Sequence, residues 1–212
     1  MVEAREGRIK SGHARAPWAA VALTPLEESD LEVVHAWQND PALRDLTMGF
    51  RLPLQREAVR DWLRGLHGPS QHSRALYAIR VAGEPVGIVQ IFGIVPFQRR
   101  AEIGVFLGSP TLRGAGVGYV AMALMLDFAF NGLDLRKVGA EVLVDNRSVV
   151  RLCERIGFVR EGLKRQEHFA DGACWDTCVL GLLREEFTLR LPPEARRLCA
   201  SLAPRAMPLQ GA

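Results

Sequence analysis

Arg113-Gly114-Ala115-Gly116-Val117-Gly118 places three glycines at alternate positions between an apolar run over residues 103–107 and a long apolar helix pattern over 117–130. A strand, a small-residue turn and a helix start make an anion cradle. Consecutive backbone N–H groups converge there, the first-turn N–H groups have no intrahelical partner, and the helix dipole adds partial positive charge. A P-loop would need Lys and then Ser or Thr after its last glycine, whereas Tyr119 and Val120 follow here. A dinucleotide fingerprint would need G-x-G-x-x-G inside a parallel βαβ unit, which Gly-Ala-Gly-Val-Gly does not supply. Two readings remain at this point: a cradle for some other phosphate-bearing ligand, or a plain tight strand-to-helix connection.

Downstream of the cradle, Val117, Val120, Ala121, Leu124 and Phe128 share one side of the helix, and Met122 and Met125 soften the other, so most of the helix is expected to be buried. Asn131-Gly132 ends it. Residues 137–144 read as a strand, Asp145-Asn146 as a turn and cap, and Val149, Leu152, Cys153 and Ile156 as the apolar face of a short helix closed by Gly157. A hairpin with strands at 158–170 and 173–183 turns at Asp171-Gly172. The tail, 188–212, carries Pro192-Pro193 and a helical pattern over 194–202.

Upstream, 101–107 is apolar enough for a central strand, and 93–100 reads as the loop that leads into it. Leu76, Ala78 and Val81 lie in one β-type run and 86–92 in another, with Gly83-Glu84 turning between them. One helix is predicted over 56–66, from Val59, Trp62, Leu63 and Leu66. An earlier one carries Leu31, Val34 and Trp37 on one face and stops before Asp40-Pro41. Residues 19–23 are β-prone. Residues 1–17 mix Arg5, Arg8, Lys10 and Arg15 with Glu, Gly and Ser without a period and read as a disordered leader, leaving 18–187 as one domain.

At 212 residues the chain can bury one sizeable core. Its 27 Lys and Arg against 24 Asp and Glu give a net charge of +3. The basic residues are scattered, which argues against nucleic acid and is compatible with an anionic cofactor. No apolar run approaches the ~20 residues of a membrane helix and no signal-peptide core opens the sequence, so the expected location is cytoplasmic, with no membrane partner. Cys153, Cys174, Cys178 and Cys199 make no C-x-x-C pair and have no His at zinc spacing; free thiols and no metal are expected.

Two motifs in order carry a resemblance. Arg113-x-x-Gly116-x-Gly118 after an apolar strand resembles the coenzyme A pyrophosphate loop of the GNAT N-acetyltransferase superfamily. Asn146, followed by Arg151-Leu152-Cys153-Glu154-Arg155-Ile156-Gly157-Phe158, resembles that family's Asn-x-x-x-x-Arg-Leu-Tyr-Glu-Lys-x-Gly-Phe. The matching order of elements runs over 76–183, about half of the chain. Ala101-Glu102-Ile103-Gly104-Val105, Leu112 to Gly116, Asp176 and Leu182-Leu183-Arg184-Glu185-Glu186-Phe187 resemble the branch that contains ribosomal-protein N-terminal acetyltransferases, as does Trp37-x-Asn39-Asp40-Pro41. Polyamine, amino-sugar and aminoglycoside acetyltransferases belong to that branch too.

The resemblance implies an α/β (α+β) fold: a mixed sheet of about six to seven strands flanked by about four helices, with a V-shaped split between the two central strands. It implies acetyl-CoA as cosubstrate and direct acetyl transfer, through a ternary complex, to a primary amine of a small molecule or a polypeptide N-terminus; whether the chain is a monomer or a homodimer, paired through the last hairpin or the tail, stays open. The cofactor would meet Arg113, Gly114, Ala115, Gly116, Val117 and Gly118 at its diphosphate. Unpaired donors over Val105, Phe106 and Leu107 would receive its pantetheine arm, together with Asn146, whose other reading is a helix cap.

Acetyl transfer needs a deprotonated amine, a polarised carbonyl and a proton for the departing thiolate. An alkyl amine has a pKa near ~10, so a base must act, and Glu102, on the strand beside the cradle, is the candidate; its alternative is a paired or solvent-facing strand residue. The family's tyrosine is Cys153 here, which could donate or could be a small apolar residue on a helix face; Ser148 lies one turn before it. The missing tyrosine also suggests an alternative, a non-catalytic CoA-binding regulatory module. Trp37, Asn39, Asp40, Arg44, Phe50, His168, Trp175 and Asp176 are expected to flank the acceptor cleft, or else to be core, cap and surface residues.

Overall fold

The computed structural model describes residues 20–44, 47, 52–66, 73–170 and 172–188. The leader at 1–17, Phe50, the Arg44 side chain, Asp171 and the helical pattern at 194–202 lie outside them.

Seven strands form: β1 (Val21–Thr24), β2 (Arg74–Val81), β3 (Glu84–Val95), β4 (Arg100–Leu107), β5 (Lys137–Leu143), β6 (Val159–Ala170) and β7 (Ala173–Leu183). They form one sheet in the order β1-β2-β3-β4-β5-β7-β6. Every neighbouring pair is antiparallel except β4–β5, which is parallel. The helices are α1 (Leu31–Asn39), α2 (Pro41–Arg44), α3 (Arg56–Gly65), α4 (Val117–Asp127) and α5 (Arg147–Ile156).

Two apolar clusters sandwich the sheet. On one face α4 packs with nearly its whole surface, Val120 to Leu126 being buried, against Val89, Ile91, Ile103, Val138 and Ala140. This agrees with the all-round apolar pattern of that helix. On the other face Leu31, Val34 and Trp37 of α1 and Val59 and Leu63 of α3 cover Ala78 and Ile88. The half of that face over β5, β7 and β6 has no such cover among the described helices.

Several elements differ from expectation. The loop expected over 93–100 is half strand: β3 continues to Val95, and Pro96–Gln98 with the left-handed Arg99 make the turn before β4 begins at Arg100, which pairs back with Val95. One-turn helix α2 was not foreseen; Asp40 Oδ1 starts it by accepting from Ala42 N–H at 2.9 Å. After Asp127 the cradle helix widens into a π turn, Phe128–Gly132, where Leu133 N–H reaches Phe128 O at 2.9 Å.

A buried ion pair ties the two N-terminal elements to the sheet. Arg80 Nη2 donates to both carboxylate oxygens of Asp30, at 2.9 and 2.7 Å, and its Nε donates to Thr24 Oγ1 at 2.8 Å. Asp30 is 3 % exposed, so removing the guanidinium strands a carboxylate away from water. Arg80→Met should lower stability by about 3–5 kcal/mol, read as a fall in the urea midpoint at unchanged m-value. Wild-type stability in that variant would show the pair to be energetically neutral.

Candidate active site

The parallel pairing of β4 with β5 covers only Arg100 with Lys137, Ala101 with Val138, and Glu102 with Gly139. Beyond Glu102 each strand keeps its outer neighbour, β4 with β3 as far as Leu107–Gly87 and β5 with β7 as far as Leu143–Thr177. The two strands therefore part in a V. Gly108 N–H donates to Val86 O at 2.9 Å, in register with the β3–β4 ladder. Alternation along an antiparallel ladder then turns the peptide groups of Val105 and Leu107 toward the gap and that of Phe106 toward β3. Of the three expected backbone donors, Val105 and Leu107 face the opening. Phe106 instead sends its ring to the far face, edge-on to Trp37 with centroids 5.8 Å apart.

At the open end of the V the glycine loop turns with left-handed backbones at Gly114 (φ 79°) and Gly116 (φ 82°). Gly116 is the N-cap of α4 and offers no side chain to its first turn, so the N–H groups of that turn are left for a ligand. Val117 gives its side chain to the core and Ala115 N–H donates to Leu112 O at 3.3 Å. A cleft of about 330 Å³ opens here, and Arg113, Arg151 and Arg155 line it beside Gly114, Gly116 and Gly118. Backbone donors, a helix N-terminus and three guanidinium groups fit a diphosphate.

At the closed end Glu102 lies with its carboxylate over Gly139. A Cβ built on that glycine would fall 2.3 Å from Glu102 Oε2. Glu102 lines a cavity of about 570 Å³ that runs through the V and is also walled by Gln90, Glu141, Asn146 and Cys153. Burial holds the Glu102 pKa above the usual carboxylate range and repulsion from Glu141 adds to it, against the pull of Arg100, Lys137 and Lys164. Glu141 is itself paired with Lys164. Gly139→Ala should push the carboxylate off its seat at little cost in stability, because the clashing atoms end a flexible side chain. We expect kcat to fall about 10-fold with the acetyl-CoA dissociation constant unchanged. Full turnover in Gly139→Ala would mean that the carboxylate needs no such seat.

Residues 21–159 match the family model of the acetyltransferase (GNAT) domain. The chain belongs to the GNAT acetyltransferase family. It is 29 % identical over 153 residues to spermidine N(1)-acetyltransferase of Escherichia coli strain K12, a match covering 72 % of this chain and 80 % of that one. It is 26 % identical over 170 residues to the enzyme of that name from Vibrio cholerae, covering 80 % and 96 %. The fold superposes on a Vibrio cholerae spermidine N-acetyltransferase solved with CoA and spermine, with a TM-score of 0.72 at 24 % identity over 79 % of this chain and 98 % of that one. Membership makes the protein an acyltransferase, and acetyl-CoA is the acetyl donor whose thioester supplies the activated carbonyl.

Within this GNAT frame the remaining expected residues divide. Asn146 caps α5, its Oδ1 accepting from Val149 N–H at 3.3 Å, and it also lines both the cleft and the cavity, so cap and lining residue are the same side chain. Ser148 donates to Asn146 Oδ1 at 2.8 Å and lines the diphosphate cleft rather than the cavity that holds Glu102. Cys153 reaches that cavity, but burial pushes its thiol up to about 12. A thiol that weak would protonate a thiolate of ordinary pKa, ~8.5, only uphill. These placements argue against either residue as the acid.

None of the expected acceptor residues Trp37, Asp40, His168 and Asp176 lines the cavity or the cleft. Trp37 is core, Asp40 starts α2, and His168 pairs with Trp175 along the β6–β7 hairpin. Asp176 Oδ1 accepts from Gln166 N–H at 2.8 Å, where β6 bulges with φ 53°. The GNAT site is instead lined by Glu141, Gln90, Thr47, Arg151 and Arg155, which the sequence reading had not singled out as site residues. Glu141 could have been found, because alternation in β5 puts it on the face of Gly139, opposite Val138 and Val142. Arg151 and Arg155, four apart on α5, carry a similar signal. Thr47 carries none. Among the described residues no cluster of three or more His, Cys, Asp or Glu could hold a metal ion, and no helix is long and apolar enough to cross a membrane.

Proposed function

We propose that the protein acetylates a primary amine of a cationic small molecule, with polyamines the favoured class, by direct attack of the amine on acetyl-CoA. One observation carries the reading: Glu102, a carboxylate of raised pKa, sits where the parallel pairing ends, between the opened edge of β4 and the cavity beyond it. The cradle over 113–118 holds the diphosphate with Arg113, Arg151 and Arg155. Asn146 and the N–H groups of Val105 and Leu107 align the pantetheine arm, and one of those N–H groups polarises the carbonyl. Glu102 takes the proton from the incoming ammonium, whose pKa near ~10 keeps it charged at neutral pH. The Glu102 carboxylate draws a cation to this side of the sheet, Glu141 being paired with Lys164.

The polyamine class is supported by the names of the relatives in Escherichia coli and Vibrio cholerae. A putative ribosomal N-acetyltransferase of Bacillus subtilis, 29 % identical over 105 residues, keeps polypeptide N-termini in the test. Thiol release from acetyl-CoA is measured with spermidine, spermine, aminoglycosides, amino sugars and short peptides. Fastest turnover with the polyamines supports the proposal, and a preference for peptides would move the class. Tight CoA binding without amine-dependent thiol release from any acceptor would make the protein a regulatory module.

A further inference from the structure

Thr47 lines both the cavity that holds Glu102 and the cleft that holds the glycine cradle. Four other residues share that position: Val105 and Phe106 on β4, and Asn146 and Val149 at the start of α5. Thr47 closes the junction from a third side, fixed one turn past α2 by its N–H donating to Leu43 O at 3.0 Å. A thioester whose diphosphate lies in the cleft and whose carbonyl meets an amine beside Glu102 must cross this junction.

The Thr47 hydroxyl is buried and has no hydrogen-bond partner. A buried unpaired hydroxyl destabilises the fold, and where one persists beside a reactive centre a ligand is its natural partner. The other such atom among the described residues, Gln38 Oε1, belongs to α1 and lines neither space. Rotation about χ1 to another staggered well carries a threonine hydroxyl to the position its methyl or hydrogen held, so the donor can turn to the junction when substrate arrives. Neither residue first considered for the departing sulfur is a good hydrogen-bond donor to it, since a thiol S–H donates weakly and the Ser148 hydroxyl is engaged with Asn146.

We propose that Thr47 Oγ1 donates a hydrogen bond to the sulfur of the leaving thiolate, an inference that rests on the N-acetyltransferase reading above. Once Glu102 has passed the ammonium proton on to solvent, the free amine nitrogen forms its bond to the carbonyl carbon and gives a second proton to Glu102. The carbon–sulfur bond breaks and its electron pair stays on sulfur. Thr47 stabilises that charge without losing its own proton, and the thiolate, whose ordinary pKa of ~8.5 lies above neutral, is protonated by bulk solvent as CoA departs.

The test is Thr47→Val, which keeps the shape and removes the donor, beside Thr47→Ser, which keeps the donor. Thr47→Val should lower kcat by about 10²-fold, leave the CoA dissociation constant within about 2-fold by calorimetry, and melt no lower than wild type because an unpaired hydroxyl has gone. Thr47→Ser should recover most of the turnover, which a packing role for the methyl would not permit. If valine unfolds the protein, Thr47→Ala against Thr47→Ser reads the same contrast. Wild-type turnover in the hydroxyl-free variants, serine as slow as valine, or a loss explained by weaker CoA binding would each overturn the assignment. Absence of amine-dependent thiol release in the wild type would instead refute the reading beneath it.

Discussion

Glu102→Gln should lower kcat by about 10²–10⁴-fold, the range expected when a positioned base is removed, and should abolish the acidic limb of the pH–rate profile. The carboxamide keeps the shape of the side chain over Gly139 but cannot accept a proton. In the wild type, burial and then Glu141 raise the Glu102 pKa. The active form is the carboxylate, so turnover rises with pH through that raised value and levels above it. Glu141→Gln removes the repulsion, and it also frees Lys164, whose charge pulls the same way. The limb should therefore move toward lower pH in Glu141→Gln and vanish in Glu102→Gln. Binding of CoA, measured by calorimetry, should stay within about 2-fold in both, because the carboxylates lie at the closed end of the V, away from the cradle. A Glu102→Gln enzyme with the wild-type profile would leave the base to an ordered water.

What the sequence disclosed follows from which signals are local. The cradle, the Asn146 cap and the apolar face of α5 each depend on a few neighbouring residues, and each was legible. The seven strands were legible as β-type runs and as the hairpin around Asp171-Gly172, and so was the V, through family resemblance. Irregular backbone was not. The bulge that places Asp176 against Gln166 N–H, the π turn after Asp127 and the single turn α2 leave no periodic trace. Trp37 was open between cleft and core. It shares a face with Leu31 and Val34, which already pointed to the core it occupies, and motif likeness alone suggested a cleft residue. Glu141 belongs to no motif, although alternation in β5 fixes its face, while Thr47 lies in a stretch without period and is placed only by tertiary structure.

Gly116→Val carries the second large effect, this time on the cofactor. Gly116 holds φ at 82° as the N-cap of α4, a conformation that a β-branched residue adopts at about 1–3 kcal/mol of strain. The loop can relieve that strain only by turning the peptide planes of the cradle, and with them the first-turn N–H groups that face the diphosphate. Strain and lost hydrogen bonds then act in the same direction, and about 3 kcal/mol together corresponds to roughly a 10²-fold weaker CoA dissociation constant. The effect should fall on KM for acetyl-CoA, while kcat at saturating cofactor stays within a few-fold because Glu102 and the paired ends of β4 and β5 are untouched. Salt separates the two parts of the site. The contribution of Arg113, Arg151 and Arg155 weakens as ionic strength rises, whereas the backbone cradle is screened less, so wild-type and Gly116→Val affinities should fall in parallel with added salt and keep their ratio. Unchanged CoA affinity in Gly116→Val would mean that the arginines alone hold the diphosphate and that the glycines serve only to turn the chain.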